Sequence, residues 1–297
     1  MEFSLPIRVR WDVDFRGRGA GAKRIARAIR EVSPMILELR FDGEKGLANL
    51  SAVCTELQNG SPRIQATVRP FPGAENALRW GYPVEFLWEV NGAWRSCREI
   101  PEGVRAVSFT PDGESIPNLP DILEAFADCG AETLHLPNVN AVRQTAETGH
   151  VLLPRPDQIR EAAARLAGSV DPSHMKGKRL VVHDYFLWKE LRGIFPSEAG
   201  ERMEFSGCQA GSALAYVDWE GNVYPCDSLP IRLGSLLELP FGEVWKNPAR
   251  QEVLRSIRST PALCGDCSER VGCLGGCRGL AFVAEGSFDC PDPSCPK

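Results

Sequence analysis

Apolar and polar positions alternate in two registers along the first two hundred residues. Stretches at 5–13, 35–41, 63–69, 83–89, 104–109, 132–136 and 179–183 read as strands. Between them, apolar positions recur at helical spacing near 20–31, 46–58, 73–79, 118–129, 155–168 and 184–192. Repeated β-then-α units predict an α/β fold with a parallel sheet covered by helices. A partial (β/α) TIM-type barrel fits the count, and a doubly wound sheet is the competing arrangement. Residues 138–154 lack a regular pattern and read as a long loop. In the first strand, Ile7, Val9, Trp11, Val13 and Phe15 alternate with Arg8, Arg10, Asp12 and Asp14. One face of that strand therefore meets something polar. It is either an edge strand with a solvated face or a strand lining a polar lumen.

Composition narrows the picture. A chain of 297 residues accommodates one large domain and a small one. The net charge of −5 provides no global basic field for nucleic acid. No stretch approaches the roughly 18 apolar residues of a membrane span, and the first residues lack the apolar run of a signal peptide. Eleven cysteines without an export signal point to a reducing cytoplasm and metal ligation. Residues 1–30 carry eight Arg or Lys against three acids, which reads as a solvated helix face or a docking surface for an acidic partner.

The last ninety residues hold eight of the cysteines. Cys208 is followed by twelve residues, Gly221, four residues and Cys226; then come Cys264-x2-Cys267-x5-Cys273-x3-Cys277, and finally Asp289-Cys290-Pro291-Asp292-Pro293-Ser294-Cys295. Two-residue spacings let one loop supply two thiolates to a metal centre, and the many nearby glycines allow tight turns. Zinc accepts the same donor type, and a disulfide framework would require an oxidising compartment. Cys54, Cys97 and Cys129 have no neighbour at ligand spacing and read as small buried hydrophobes. His135 and His183 read as hydrogen-bonded core residues, with His183 the candidate for an extra cluster ligand. Tyr216, Trp219, Tyr224 and Phe241 read as packing core of the tail. No hydrolase triad or elbow is present.

The cysteine pattern over 200–297 resembles the SPASM domain, the C-terminal extension of peptide-modifying radical SAM enzymes. The resemblance implies residues 1–199 as a degenerate radical SAM-like domain and 200–297 as a SPASM iron–sulfur domain. It implies two auxiliary clusters of the 4Fe–4S type. Cys264, Cys267, Cys273 and Cys295 would hold the outer one, with Cys290 as the alternative terminal ligand. Cys208, Cys226 and Cys277 would hold the inner one. Leu214 stands where many relatives have a further cysteine, so the inner cluster has an open iron, a ligand from elsewhere, or a smaller or absent core.

Radical SAM enzymes carry Cys-x3-Cys-x2-Cys after the first strand. Here Arg16-Gly17-Arg18-Gly19-Ala20-Gly21 occupies that loop, and no cysteine precedes Cys54. The same glycines do not meet the spacing of a Rossmann or P-loop phosphate cradle. Phe41-Asp42-Gly43-Glu44 resembles the Gly-Gly-Glu element that binds SAM, and Gly43 and Glu44 would be its remnant. SAM cleavage by the chain alone is not expected.

The combination is similar to the SPASM proteins of GeoRSP-type systems. It implies an electron-relaying or substrate-positioning partner of a radical SAM protein, alongside a PqqD-like peptide chaperone and a ribosomal peptide substrate. Two other readings stay open. One is a stand-alone enzyme using an open cluster iron as a Lewis acid; the other is a peptide-binding module stapled by iron–sulfur or zinc sites.

Overall fold

A computed structural model describes residues 3–13, 19–41, 53–57, 62–70, 74–75, 84–94, 100–195, 203–205 and 207–297. Of the expected loop Arg16–Gly21, Arg16, Gly17 and Arg18 lie outside them, as do the Asp42-Gly43-Glu44 element and Cys97, whereas Gly19, Ala20 and Gly21 form the start of a helix. The chain divides into two compact units, one of residues 1–87 with 209–258, the other of residues 88–208 with 259–297. Compactness thus groups the residues otherwise than the motif boundary at 199/200, which is a division by sequence type.

The first unit is built on a sheet in the order β11-β10-β9-β1-β2-β3. Its strands are β1 (Arg8–Asp12), β2 (Ile36–Phe41), β3 (Arg63–Val68), β9 (Leu214–Val217), β10 (Asn222–Tyr224) and β11 (Gly234–Ser235). β1 runs parallel to both β2 and β9, and Arg8 stands opposite Ile36 on one side and Leu214 on the other. β1 is therefore an interior strand, and the edge-strand explanation of its alternation is wrong. Val9 and Trp11 are buried in the core with Leu37, Leu39 and Phe41.

Helix α1 (Gly19–Glu31) adds Ala22, Ile25, Ala26 and Ile29 to the same core, positions three and four apart on one face. Its basic side is partly paired at home: Arg27 and Arg30 reach Glu56, and Arg24 donates to the Leu237 carbonyl. Residues 53–57 are helical within the expected 46–58, and a 3-10 turn at 74–75 falls within the expected 73–79; the rest of both lies outside the described residues.

The polar positions of β1 meet charge. Arg10 donates to Glu38 at 2.7 Å and to Asp227 at 2.5 Å, and Tyr216 donates to Asp12 at 2.9 Å. Burial works against the Arg10 cation, but Asp227 and Glu38 outweigh it and raise its pKa. Replacing Asp227 by alanine leaves a half-buried guanidinium short of one anion. We expect the unfolding free energy to fall by about 1–3 kcal/mol, read by denaturant titration. A change within about 0.5 kcal/mol, the range of ordinary surface substitutions, would remove the network from the stability account.

In the second unit β5 (Ala106–Ser108), β6 (Thr133–Leu136), β7 (Arg179–Val182) and β8 (Met203–Phe205) are parallel and adjacent in that order. The chain passes from the first unit to the second within β4 (Val84–Glu89). The helices that follow are α2 (Leu119–Asp128), α3 (Ala141–Thr148), α4 (Pro156–Ser169) and α5 (Tyr185–Ile194). Helix α3 lies inside the segment expected to be a long loop. Local chemistry makes it: Asn140 caps its start by accepting from the Arg143 N–H, and Gly149 ends it in a left-handed conformation. Its sequence, Ala-Val-Arg-Gln-Thr-Ala-Glu-Thr, has too few apolar positions to display a helical stripe. Together with the parallel strands, these helices make a mixed α/β fold.

Candidate metal centre

The tail begins with a hairpin that explains one element of the cysteine spacing. β9 and β10 are antiparallel, and Gly221 sits in their turn with φ +83°. A side chain there would press on Ile25 at 3.1 Å, so the glycine serves both the left-handed turn and the close packing. Asp218 holds the turn, accepting from the N–H groups of Glu220 and Asn222 and from the Tyr224 hydroxyl. Cys226 follows, buried, and bridges to Leu229 in this first unit. Leu214 is buried at the start of β9 and pairs with β1. Tyr216, Trp219 and Phe241 are buried, as expected of packing residues.

In the second unit the chain forms a series of tight turns around the remaining cysteines. Pro261 starts a 3-10 turn over Ala262–Cys264. The Cys267 N–H then donates to the Cys264 carbonyl, and the Arg270 N–H to that of Cys267. The short helix α8 (Arg270–Cys273) ends in three consecutive left-handed residues: Leu274 (φ 51°), Gly275 (86°) and Gly276 (71°). They reverse the chain so that Cys277 caps the next helix, α9 (Arg278–Glu285). In the first unit, two further helices, α6 (Phe241–Trp245) and α7 (Pro248–Arg258), complete the tail.

Cys264, Cys267, Cys273 and Cys295 line one cavity of about 120 Å³. Its other walls come from α4 and α5, including Ile159, Tyr185 and Phe186. Cys290 is not among the lining residues; its carbonyl instead accepts from Arg278. The thiols lie in one another's fields. Burial pushes Cys264 up, and Cys273 and Cys295 add to this; burial likewise raises Cys295, with Cys273 and Cys267 contributing. Cys267 is lowered by the Glu269 N–H and by Lys297, whose Nζ is 3.3 Å from its sulfur. Such mutual repulsion among soft donors is relieved when a cationic core replaces the thiol protons. Among the described residues no three Cys, His, Asp or Glu side chains are gathered closely enough to grip one ion; the thiols surround a cavity.

A second feature fits a thiolate-ligated iron–sulfur cluster, which is anionic as a whole. Arg278 is only 1% exposed. Its Nη1 donates to the Cys290 carbonyl, while Nε and Nη2 find no acceptor among the described residues. Its neighbours in charge include Cys264, Asp292 and Cys277.

Asp292 organises the far side. Its carboxylate accepts from the Cys277 N–H at 2.5 Å and from the Ser294 N–H at 2.7 Å, and the Cys295 N–H donates to its carbonyl. It is buried beside Asp184, and burial together with that neighbour raises its pKa. Asp184 itself caps α5 through the Leu187 N–H. Cys277 is likewise raised, by burial first and then by Asp292, with Cys208 contributing. The second unit thus brings Cys208 into the electrostatic range of Cys277, while Cys226 belongs to the first unit.

Cys54 and Cys129 are buried among apolar side chains, as expected. His135 lies on β6, and the His183 N–H donates to the Leu136 carbonyl at the end of β7. Sequence reasoning named neither Arg278 nor Asp292 as functional. Their signals were slight: an arginine directly after a candidate ligand, and the acid of Asp-Pro-Ser-Cys.

Residues 208–268 match the SPASM family model, described as an iron–sulfur cluster-binding domain. AdoMet-dependent heme synthase of Methanosarcina barkeri is 37% identical over 92 residues, 30% of this chain and 25% of that protein. PqqA peptide cyclase of Granulibacter bethesdensis is 26% identical over 188 residues, 61% of this chain and 46% of that protein. The chain thus spans less than half the length of either of these curated relatives.

Among solved structures, native anSMEcpe with bound AdoMet aligns over 97% of this chain and 94% of its own, with a TM-score of 0.62 at 13% identity. Its complex with AdoMet and the Cp18Cys peptide gives 0.59 at 12% identity over 98% and 94%. No helix among the described residues is long and apolar enough to cross a membrane. This chain thus carries a SPASM iron–sulfur cluster-binding domain on an α/β fold shared with AdoMet-bound anSMEcpe, and its relatives include AdoMet-dependent heme synthases.

Proposed function

We propose that the chain is an iron–sulfur accessory protein that works beside a separate radical SAM enzyme on a peptide substrate. One observation carries the reading: the cavity retains its four thiols, whereas the 297 residues contain no Cys-x3-Cys-x2-Cys. A SPASM domain without that motif can hold auxiliary clusters but lacks the usual ligands for the one that cleaves SAM. Residues 1–199 are the SAM-enzyme-like part and 200–297 the cluster-bearing part. Gly43 and Glu44 are a remnant of the SAM-binding element.

Cys264, Cys267, Cys273 and Cys295 hold an outer 4Fe–4S cluster. By their spacing in the sequence, Cys208, Cys226 and Cys277 are the candidate ligands of an inner one, with no fourth cysteine at Leu214. A bound cluster would accept and release single electrons. The protein's own part is to gather the thiolates, exclude water with Ile159 and Phe186, and fix Cys277 and Cys295 through Asp292. The peptides in the names of PqqA peptide cyclase and of the anSMEcpe complex support a peptide as the shared substrate, delivered by a PqqD-like chaperone in the cytoplasm.

Co-expression with a candidate radical SAM partner tests the pairing. We expect co-purification and at least a tenfold rise in peptide modification over the SAM protein alone. A fully active SAM protein that neither binds nor responds to this chain would contradict the reading, as would 5′-deoxyadenosine formed by this chain alone. Leu214 favours one second reading, a chain whose open inner iron binds substrate directly. That reading predicts a substrate-induced change in the cluster spectrum of the isolated chain.

A further inference from the structure

A buried guanidinium is costly unless anions or acceptors surround it, and Arg278 is among the largest fully buried side chains of the molecule. The nearby carboxylates are engaged elsewhere. Both oxygens of Asp292 accept backbone N–H groups, from Cys277 and Ser294, and Asp289 accepts from the Ala262 N–H. Only Nη1 is hydrogen-bonded, to a carbonyl, which leaves the N–H groups on Nε and Nη2 to be accounted for.

The surroundings are shaped to keep the guanidinium where it is. Gly275 is left-handed, and a side chain on it would come within 3.2 Å of Nη1 and 3.0 Å of Pro261. Burial lowers the Arg278 pKa against the opposing pull of Cys264 and Asp292. Gly275 and Cys264 both line the four-thiol cavity and Arg278 does not, so the guanidinium lies just behind the wall that Gly275 forms.

We propose that Arg278 is a built-in cation of the outer cluster, donating N–H groups of Nε and Nη2 to its sulfur atoms and holding the reduction potential up. The inference rests on the cluster reading above and specifies a residue that tunes it. A reduced cluster carries one more negative charge than the oxidised one. A fixed positive charge and N–H···S bonds therefore favour the reduced form, because net charge and hydrogen bonds to sulfur set the potential. Arg278 acts through the cluster and is a positioning and tuning residue. Arginine suits the place because it stays charged when buried and presents its donors in a fixed fork.

The test uses the full chain, assembled anaerobically. The native protein is labelled with 15N-guanidino arginine, its clusters are reduced, and pulsed EPR seeks arginine nitrogen coupled to the electron spin. The midpoint potentials of native, Arg278→Lys and Arg278→Gln proteins are then compared at equal iron content.

We expect arginine coupling in the native protein that disappears in Arg278→Lys. For Arg278→Gln we expect a reduction equilibrium at least tenfold less favourable, a fall of 59 mV for one electron, with Arg278→Lys in between. An iron-replete Arg278→Gln protein with the native potential overturns the proposal. Should Arg278→Gln fail to hold iron, the native spectrum decides: coupling supports the proposal and its absence overturns it. A native chain without iron fails differently, since it sinks the cluster reading itself.

Discussion

Replacing Cys264 by serine should remove about half of the iron, from about eight to about four atoms per chain. Cys264 is the most buried of the four thiols that line the cavity, and its neighbours Cys273 and Cys295 already act on it electrostatically. A serine hydroxyl is a poor substitute for a soft thiolate, and the remaining three ligands would leave one iron of the cluster exposed. The terminal cysteines provide an internal comparison. Cys295→Ser should lose iron as Cys264→Ser does, because Cys295 lines the cavity. Cys290→Ser should keep it, because Cys290 is not among the lining residues and its contact is a backbone carbonyl on Arg278. Iron and acid-labile sulfide analysis with the visible absorption spectrum measures both. Full iron in Cys264→Ser, or loss confined to Cys290→Ser, would contradict the assignment.

The second large effect concerns a glycine. Gly276 has φ +71°, and a β-carbon on it would lie 2.4 Å from the β-carbon of Asp292. Alanine there incurs left-handed strain of about 1–2 kcal/mol and an overlap that the buried Asp292 can relieve only by moving, a further cost of about 1–3 kcal/mol. Movement of Asp292 would loosen its bonds to the Cys277 and Ser294 N–H groups, and with them the approach to Cys295. We therefore expect Gly276→Ala to lower the unfolding free energy by about 2–5 kcal/mol and to lose iron on gel filtration. Alanine at Gly286, also left-handed but with nothing within 4 Å, should incur the strain alone and keep its iron. Equal loss from both variants would show that the Asp292 contact is unimportant. Thermal unfolding and iron retention distinguish the cases.

Much of this was legible because the signals are local. Alternation marked β1, and the apolar Leu37, Leu39 and Phe41 within 35–41 marked β2, since strands that face helices must be apolar where they pack. The thiol spacing announced the cavity because two-residue gaps fold one loop around a centre. What failed is equally physical. Helix α3 is specified by a cap at each end, Asn140 and Gly149, and hardly by periodicity. The polar face of β1 reads as an edge until its partners are known, and its second neighbour is β9, two hundred residues away. The roles of Arg278 and Asp292 come from tertiary placement: each is an ordinary charged residue in the sequence, and only burial beside cysteines singles it out. Gly221 could be read from its place in the spacing, but its reason, a hairpin turn pressed against Ile25, could not.

The most direct measurement is the joint determination of iron, sulfide and zinc in the chain purified without oxygen. The account predicts a brown protein with about eight irons and about eight sulfides per chain and no stoichiometric zinc. A folded, colourless protein without iron, or one with zinc in place of iron, would contradict it.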